Sequence, residues 1–172
     1  MEMRINGRHV SLILVAVGVL GCGSGEQEQD TSSWSIDQRS YTLGGIGAFA
    51  EMVGAGVKQL ALSAPLEPAE MDAIIGDAER IAEDNGAAIY REEDFLVTDL
   101  FPAGLTEGKH VLLICHDSTF QKYMDLKREK QQLQESGRYD ENARLLIARR
   151  FGKLLSYSDA KVESLLEARD GS

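Results

Sequence analysis

Apolar residues recur along this chain in blocks whose spacing changes from helical to extended and back. Residues 10–20 form a short apolar run behind Arg4 and Arg8, and a polar stretch opens at Gly23. Residues 23–38 contain almost nothing able to join a core, Trp34 excepted. From residue 44 to 57, Ile46, Phe49, Ala50, Val53 and Val57 fall at helical spacing. Leu60-Ala61-Leu62 reads as a short strand, and Pro65 and Pro68 then break the chain, Pro68 suiting the first turn of a helix. Met71, Ile74, Ile75, Ala78, Ile81 and Ala82 follow the i, i+3, i+4, i+7 rhythm, with acids on the opposite face and Asn85-Gly86 as the stop.

Three strands are expected next, over residues 87–91, 95–100 and 110–116, the last the most hydrophobic. Asp117 or Ser118 is positioned to cap a following helix that runs to about Glu135 and carries only a sparse apolar set. Beyond Gly137, Ala143, Leu146, Ile147, Phe151, Leu154 and Leu155 make a strong stripe, and Val162, Leu165 and Leu166 mark a last helix. The order is helix, strand, helix, three strands, three helices. It predicts an α/β fold: a small mixed sheet of about four strands packed by helices, with a C-terminal helical cap. The division is a signal peptide over 1–21, a tether over 22–39 and one α/β domain over 40–172.

The N-terminal run has roughly half of the about 20 apolar residues a bilayer span needs, so it reads as a secretory signal. Its ending, Val19-Leu20-Gly21-Cys22, resembles the lipobox of bacterial lipoproteins, over residues 1–25 only. That resemblance implies a diacylglycerol on the Cys22 thiol, cleavage before Cys22 and acylation of the new amino group. It implies a lipid-anchored protein of the bacterial cell envelope. Gly23 stands where an Asp would favour inner-membrane retention, so in a Gram-negative cell the periplasmic face of the outer membrane is favoured. A tether of about 16 flexible residues reaches roughly 20 to 24 Å, which holds the domain near the bilayer while letting it turn. Trp34 has two places open to it, the domain edge and the membrane interface.

Charge narrows the partners. The 172-residue chain carries −10, and without residues 1–21 this becomes −11. Residues 26–107 hold 17 acids against 4 bases, whereas residues 108–172 hold 10 acids and 12 bases. Nucleic-acid binding needs a basic footprint that is missing here. Adsorption to anionic headgroups is disfavoured too, which leaves the lipid as the expected link to the membrane. Arg144, Arg149, Arg150 and Lys153, opposite the Ile147/Phe151 stripe, form either a solvated helix face or a patch for an envelope protein or peptidoglycan carboxylates. With Cys22 acylated, Cys115 is the remaining thiol, so no intrachain disulfide is expected. Its place after Val111-Leu112-Leu113-Ile114 suits a buried structural cysteine.

Candidate chemistry is sparse. Gly45-Ile46-Gly47-Ala48-Phe49-Ala50 fits G-x-G-x-x-G/A, with Glu67 about 20 residues on, yet residues 37–43 lack the apolar strand that a dinucleotide loop follows. A closely packed helix start is the plainer reading, and a small ligand held on its backbone amides is the sharper one. Cys115-His116-Asp117-Ser118 ends the most hydrophobic strand. If the strands run parallel, Ser63, Asp99, His116 and Asp117 converge on one rim as nucleophile, orienting acid and base, the layout of an envelope hydrolase. No G-x-S-x-G elbow supports Ser63. His110 and His116 stand about 20 Å apart along one strand at roughly 3.3 Å per residue, too far for one ion. No metal or cofactor is expected, and the leading expectation is a non-catalytic binding or accessory module.

Overall fold

The computed structural model describes residues 37–101 and 104–170. The signal run, Cys22 and Trp34 lie outside the described residues.

Helix α1, Gln38–Gly54, starts earlier than the apolar spacing implies, because Asp37 caps it: its carboxylate accepts the Ser40 amide at 3.2 Å. The glycine-rich motif therefore sits inside the helix rather than at its start. Ile46, Ala50 and Val53 face the core. Helix α2, Pro68–Asp84, opens on its proline, and the Glu67 amide donates to the Glu70 carboxylate at 3.0 Å. Met71, Ile74, Ala78 and Ala82 are its buried stripe, and Gly86 ends the turn beyond it at φ 74°. The two helices meet where α1 ends. A Cβ on Gly54 would stand 1.9 Å from the Asn85 carbonyl oxygen, so only glycine lets the chains approach this closely there.

Among the described residues there are three strands: β1, Leu60–Leu62; β2, Ala88–Glu92; and β3, Val111–Cys115. Their order is β1-β3-β2, and both pairings are antiparallel. Cys115 lies opposite both Leu60 and Ala88. The α/β class stands, but the sheet is antiparallel rather than mixed and has three strands rather than about four. The missing strand is residues 95–100. Phe95, Leu96, Thr98 and Leu100 are all buried there, so alternation is lost. The backbone is satisfied without a ladder: the Leu96 amide donates to the Tyr123 hydroxyl at 3.0 Å, Val97 to the Phe95 carbonyl and Phe101 to that of Thr98. Strand-forming side chains here plug a core as a loop, with Phe95 edge-on to Phe101 and Phe151.

Helices α3, Asp117–Glu135, α4, Glu141–Leu154, and α5, Asp159–Asp170, follow in the expected order. The N-cap of α3 is His116, without a side-chain cap bond, while Asp117 begins the helix itself, where its charge suits the dipole. Every β3 residue is buried, and their alternation divides two cores. Leu112 and Ile114 join α1, α2, Ala61 and Ala87. Val111, Leu113 and Cys115 join α3, α4, α5 and the Phe95–Leu100 plug. Beyond α4, Ser156 adopts φ 61°, and its hydroxyl accepts the Gln59 amide, while Lys58 Nζ donates to the Leu155 carbonyl. These bonds join the C-terminal helices to the approach to β1.

Candidate functional site

Antiparallel pairing puts the ends of neighbouring strands at opposite edges of the sheet. Ser63, just past β1, donates its amide to the Leu112 carbonyl near the start of β3, whereas His116 follows the end of β3. About 13 Å of strand separates the two levels at roughly 3.3 Å per residue. The Ser63 hydroxyl is committed both ways: it donates to the Ala64 carbonyl at 2.8 Å and accepts the Leu112 amide at 2.9 Å. Asp99 is held by Arg144 of α4 at 2.9 Å. His116 is exposed. The rim that parallel strands would have made from Ser63, Asp99, His116 and Asp117 is not assembled.

Asp117 has another partner. Its carboxylate accepts the Tyr90 hydroxyl at 2.5 Å, and the Tyr90 ring stacks on Phe120 with centroids 3.7 Å apart and planes 3° from parallel. The bond to Asp117, then burial, pushes the Tyr90 hydroxyl up to about 12. Burial, then the Asp117 charge, pushes the fully buried Cys115 thiol up to about 12 as well, which keeps it protonated and unreactive. Tyr90 was within reach of the sequence: it pairs with Leu113, so strand alternation assigns it to the α3 face. Its bond to a residue 27 positions away was not.

A buried polar cluster at the end of β2 carried no sequence signal. Glu92, 8% exposed, accepts Lys127 Nζ at 3.0 Å and the Asp94 amide at 2.9 Å. The nearby Tyr123 hydroxyl is pushed well above its ordinary range by burial and then by the Glu92 charge. These groups fasten the β2–β3 connection to α3. At the same end of the sheet, Arg91 Nε donates to His110 Nδ1 at 2.8 Å, and His110 bridges Leu66 through backbone bonds. Among the described residues no three or more His, Cys, Asp or Glu side chains are grouped to hold a metal ion. The α4 arginines are paired within the chain: Arg149 with Glu163 through two bonds of 2.7 and 3.0 Å, and Arg150 with Glu129 at 2.5 Å.

A concavity lies elsewhere, between the first three turns of α1, the Ser63–Leu66 link and the start of α2. It holds about 940 Å³, within the range of ligand sites. Tyr41, Ile46, Phe49, Pro65, Leu66 and Ile74 give it an apolar lining, and Gly44 and Gly45 open its wall. Most of its polar side chains are already bonded. Arg39 pairs with Asp77, Thr42 donates to the Gln38 carbonyl, and Glu70 accepts the Glu67 amide. The sequence pointed to glycines 44–47 for a pocket of backbone amides. Gly44 and Gly45 do border a cavity, but from mid-helix, where their amides serve the helix.

No protein-family model matches the chain, and no curated protein or solved structure matches it either.

Proposed function

We propose that this chain is a lipid-anchored binding or accessory lipoprotein of the bacterial cell envelope. In this reading residues 1–21 direct export, Cys22 carries the lipid, and the α/β domain works without catalysis on the periplasmic face of the outer membrane. The observation that carries the binding half is the 940 Å³ apolar groove, most of whose polar side chains are already bonded. Such a surface recognises chiefly by shape and desolvation. A hydrolase built on Ser63 has the opposite support, since both hydrogen-bonding roles of that hydroxyl are taken. Among the described residues no helix is long and apolar enough to cross a membrane, and attachment in this proposal comes from acylated Cys22.

The anchor is tested by expressing the full chain in a Gram-negative host fed an alkyne-tagged palmitate. The expected result is a labelled protein in the outer-membrane fraction, and loss of both label and membrane association in Cys22→Ser. Unlabelled wild-type protein in the soluble fraction would refute the anchor.

A further inference from the structure

We infer that β2 pairs edge to edge with β2 of a second copy of this chain, antiparallel and centred on Tyr90. The bond pattern leaves one side of β2 open. The Ser63 amide donates to the Leu112 carbonyl, and Leu66 and His110 exchange two backbone bonds. Leu112 and Ile114 therefore turn their backbone groups to β1, and Val111, Leu113 and Cys115 turn theirs to Glu92, Tyr90 and Ala88. The N–H and C=O groups of Ile89 and Arg91 point the other way. Among the described residues no backbone bond outside the ladder reaches them. Edge strands are commonly blunted by proline, a bulge or a projecting charge. Strand β2 pairs through five consecutive residues without a bulge and contains no proline, and Arg91 is drawn back to Asp72 and His110. At the opposite edge of the sheet Leu60 and Ala61 are buried, whereas Ala88 to Arg91 are half-buried throughout.

The sequence of this edge is complementary to itself. With Tyr90 facing its own copy on a two-fold axis, Ile89 lies opposite Arg91 of the second copy, and the outward backbone groups exchange four hydrogen bonds. Tyr90 then occupies a non-hydrogen-bonded position, where side chains stand closest and aromatic pairs stabilise. Its ring already rests on Phe120, and both are half-buried, so an aromatic surface lies ready beside the open edge. Charge agrees with this register. Gly86 to Ile89 are neutral, and Glu92, Glu93 and Asp94 are acidic, so antiparallel pairing sets each acidic end against a neutral one. The two Glu92 residues stand about 13 Å apart along the strands at roughly 3.3 Å per residue. That exceeds the about 8 Å over which charges act at physiological salt. A basic strand from another protein gains little here, because Lys127 already meets Glu92 and Asp94, and Arg91 meets Glu93.

The register dictates which residues cross-link. Residues opposite one another at a non-hydrogen-bonded position have Cα atoms about 4.5 Å apart, within disulfide reach. The intact chain carrying Cys22→Ser, free of any lipid, is the parent, and its buried Cys115 does not compete. Tyr90→Cys in that parent should form a covalent dimer under mild oxidation. Ile89→Cys, offset from its own copy by two residues, should cross-link at least about tenfold more slowly. Sedimentation velocity of the parent should show a monomer–dimer equilibrium. Ile89→Pro removes an outward N–H and leaves the bonds of the β2–β3 ladder in place, so it should raise the dimer Kd about tenfold or more with the circular dichroism spectrum unchanged. Should the proline unfold the domain, the cysteine pair still decides. A parent chain that stays monomeric at about 100 µM would overturn the proposal and leave the edge to a different strand. Equal cross-linking of Tyr90→Cys and Ile89→Cys would reveal chance collision. A dimer that folded Ile89→Pro leaves undiminished would place the contact elsewhere. Either result overturns the pairing.

Discussion

Gly152 is the point at which α4 and α5 touch, and a single methyl group there tests the packing of the whole C-terminal layer. A Cβ on Gly152 would stand 2.5 Å from Val162 Cγ2 and 3.4 Å from Leu100 Cδ1. In an open helix, Gly→Ala stabilises by about 1 kcal/mol. Here carbon–carbon contact wants about 3.5 to 4.0 Å, so α5 must move out by roughly 1 Å, and overpacking of this kind costs about 1 to 3 kcal/mol. The net expectation for Gly152→Ala is a loss of about 1 to 2 kcal/mol, opposite in sign to the propensity scale. Val162 is 2% exposed, and Val162→Ala alone removes two methyl groups, worth about 2 kcal/mol with the cavity included. In the double variant the new methyl occupies the space that Val162 vacates, so the combined loss should fall short of the sum by about 1 to 2 kcal/mol. Urea unfolding of the Cys22→Ser chain, followed by far-ultraviolet circular dichroism, measures all four species. Additive losses, or a Gly152→Ala chain more stable than its parent, would refute the reasoning.

Three further outcomes follow from the site geometry. Tyr123→Phe should cost about 1 to 3 kcal/mol in the same urea assay, because it strips the buried Leu96 amide of its acceptor and leaves no water to replace it. Cys115 should resist a disulfide-forming reagent at pH 8 in the folded chain and react at once in denaturant; fast reaction before unfolding would contradict its burial. Tyr90 should ionise near pH 12 by tyrosinate absorbance, assigned with Tyr90→Phe, and Asp117→Asn should return it toward 10. In the unfolded chain this hydroxyl ionises near 10, so its contribution to stability is complete below pH 10 and lost as pH climbs toward 12.

Legibility in the sequence followed the physics of each element. Helix α2 was plain because one apolar stripe, one proline and one Asn-Gly stop all agree. Strand β3 was visible as a continuous apolar run, which reports burial on both faces but says nothing of direction. That silence on direction left open a parallel arrangement with Ser63 and His116 on one rim, whereas the antiparallel sheet sets them at opposite levels. Residues 95–100 carry strand-forming side chains, yet a tyrosine hydroxyl 27 positions away takes the Leu96 amide, a tertiary bond that no local pattern encodes. The buried Cys115 was foreseen from its apolar neighbours. The groove was not, because it arises from how two helices are set apart, and only Gly44 and Gly45 hinted at an opening there.

The order β1-β3-β2 also has a consequence in time. The middle strand of the sheet is the last of the three to leave the ribosome, and β1 and β2 have no bond to one another: each waits for β3. Until residue 115 has emerged, Leu60 and Ala88 lack their common neighbour, and neither core has its dividing wall. The first two-thirds of the nascent chain can therefore form helices and set α1 against α2, but it lacks the strand that closes the sheet. For a protein bound for a translocation channel, as proposed for this one, late arrival of the keystone keeps the chain threadable while its leading end is already being recognised. Moving β3 ahead of β1 by circular permutation would preserve the packed domain and forfeit that delay, so a permuted chain behind the same leader should jam at the membrane.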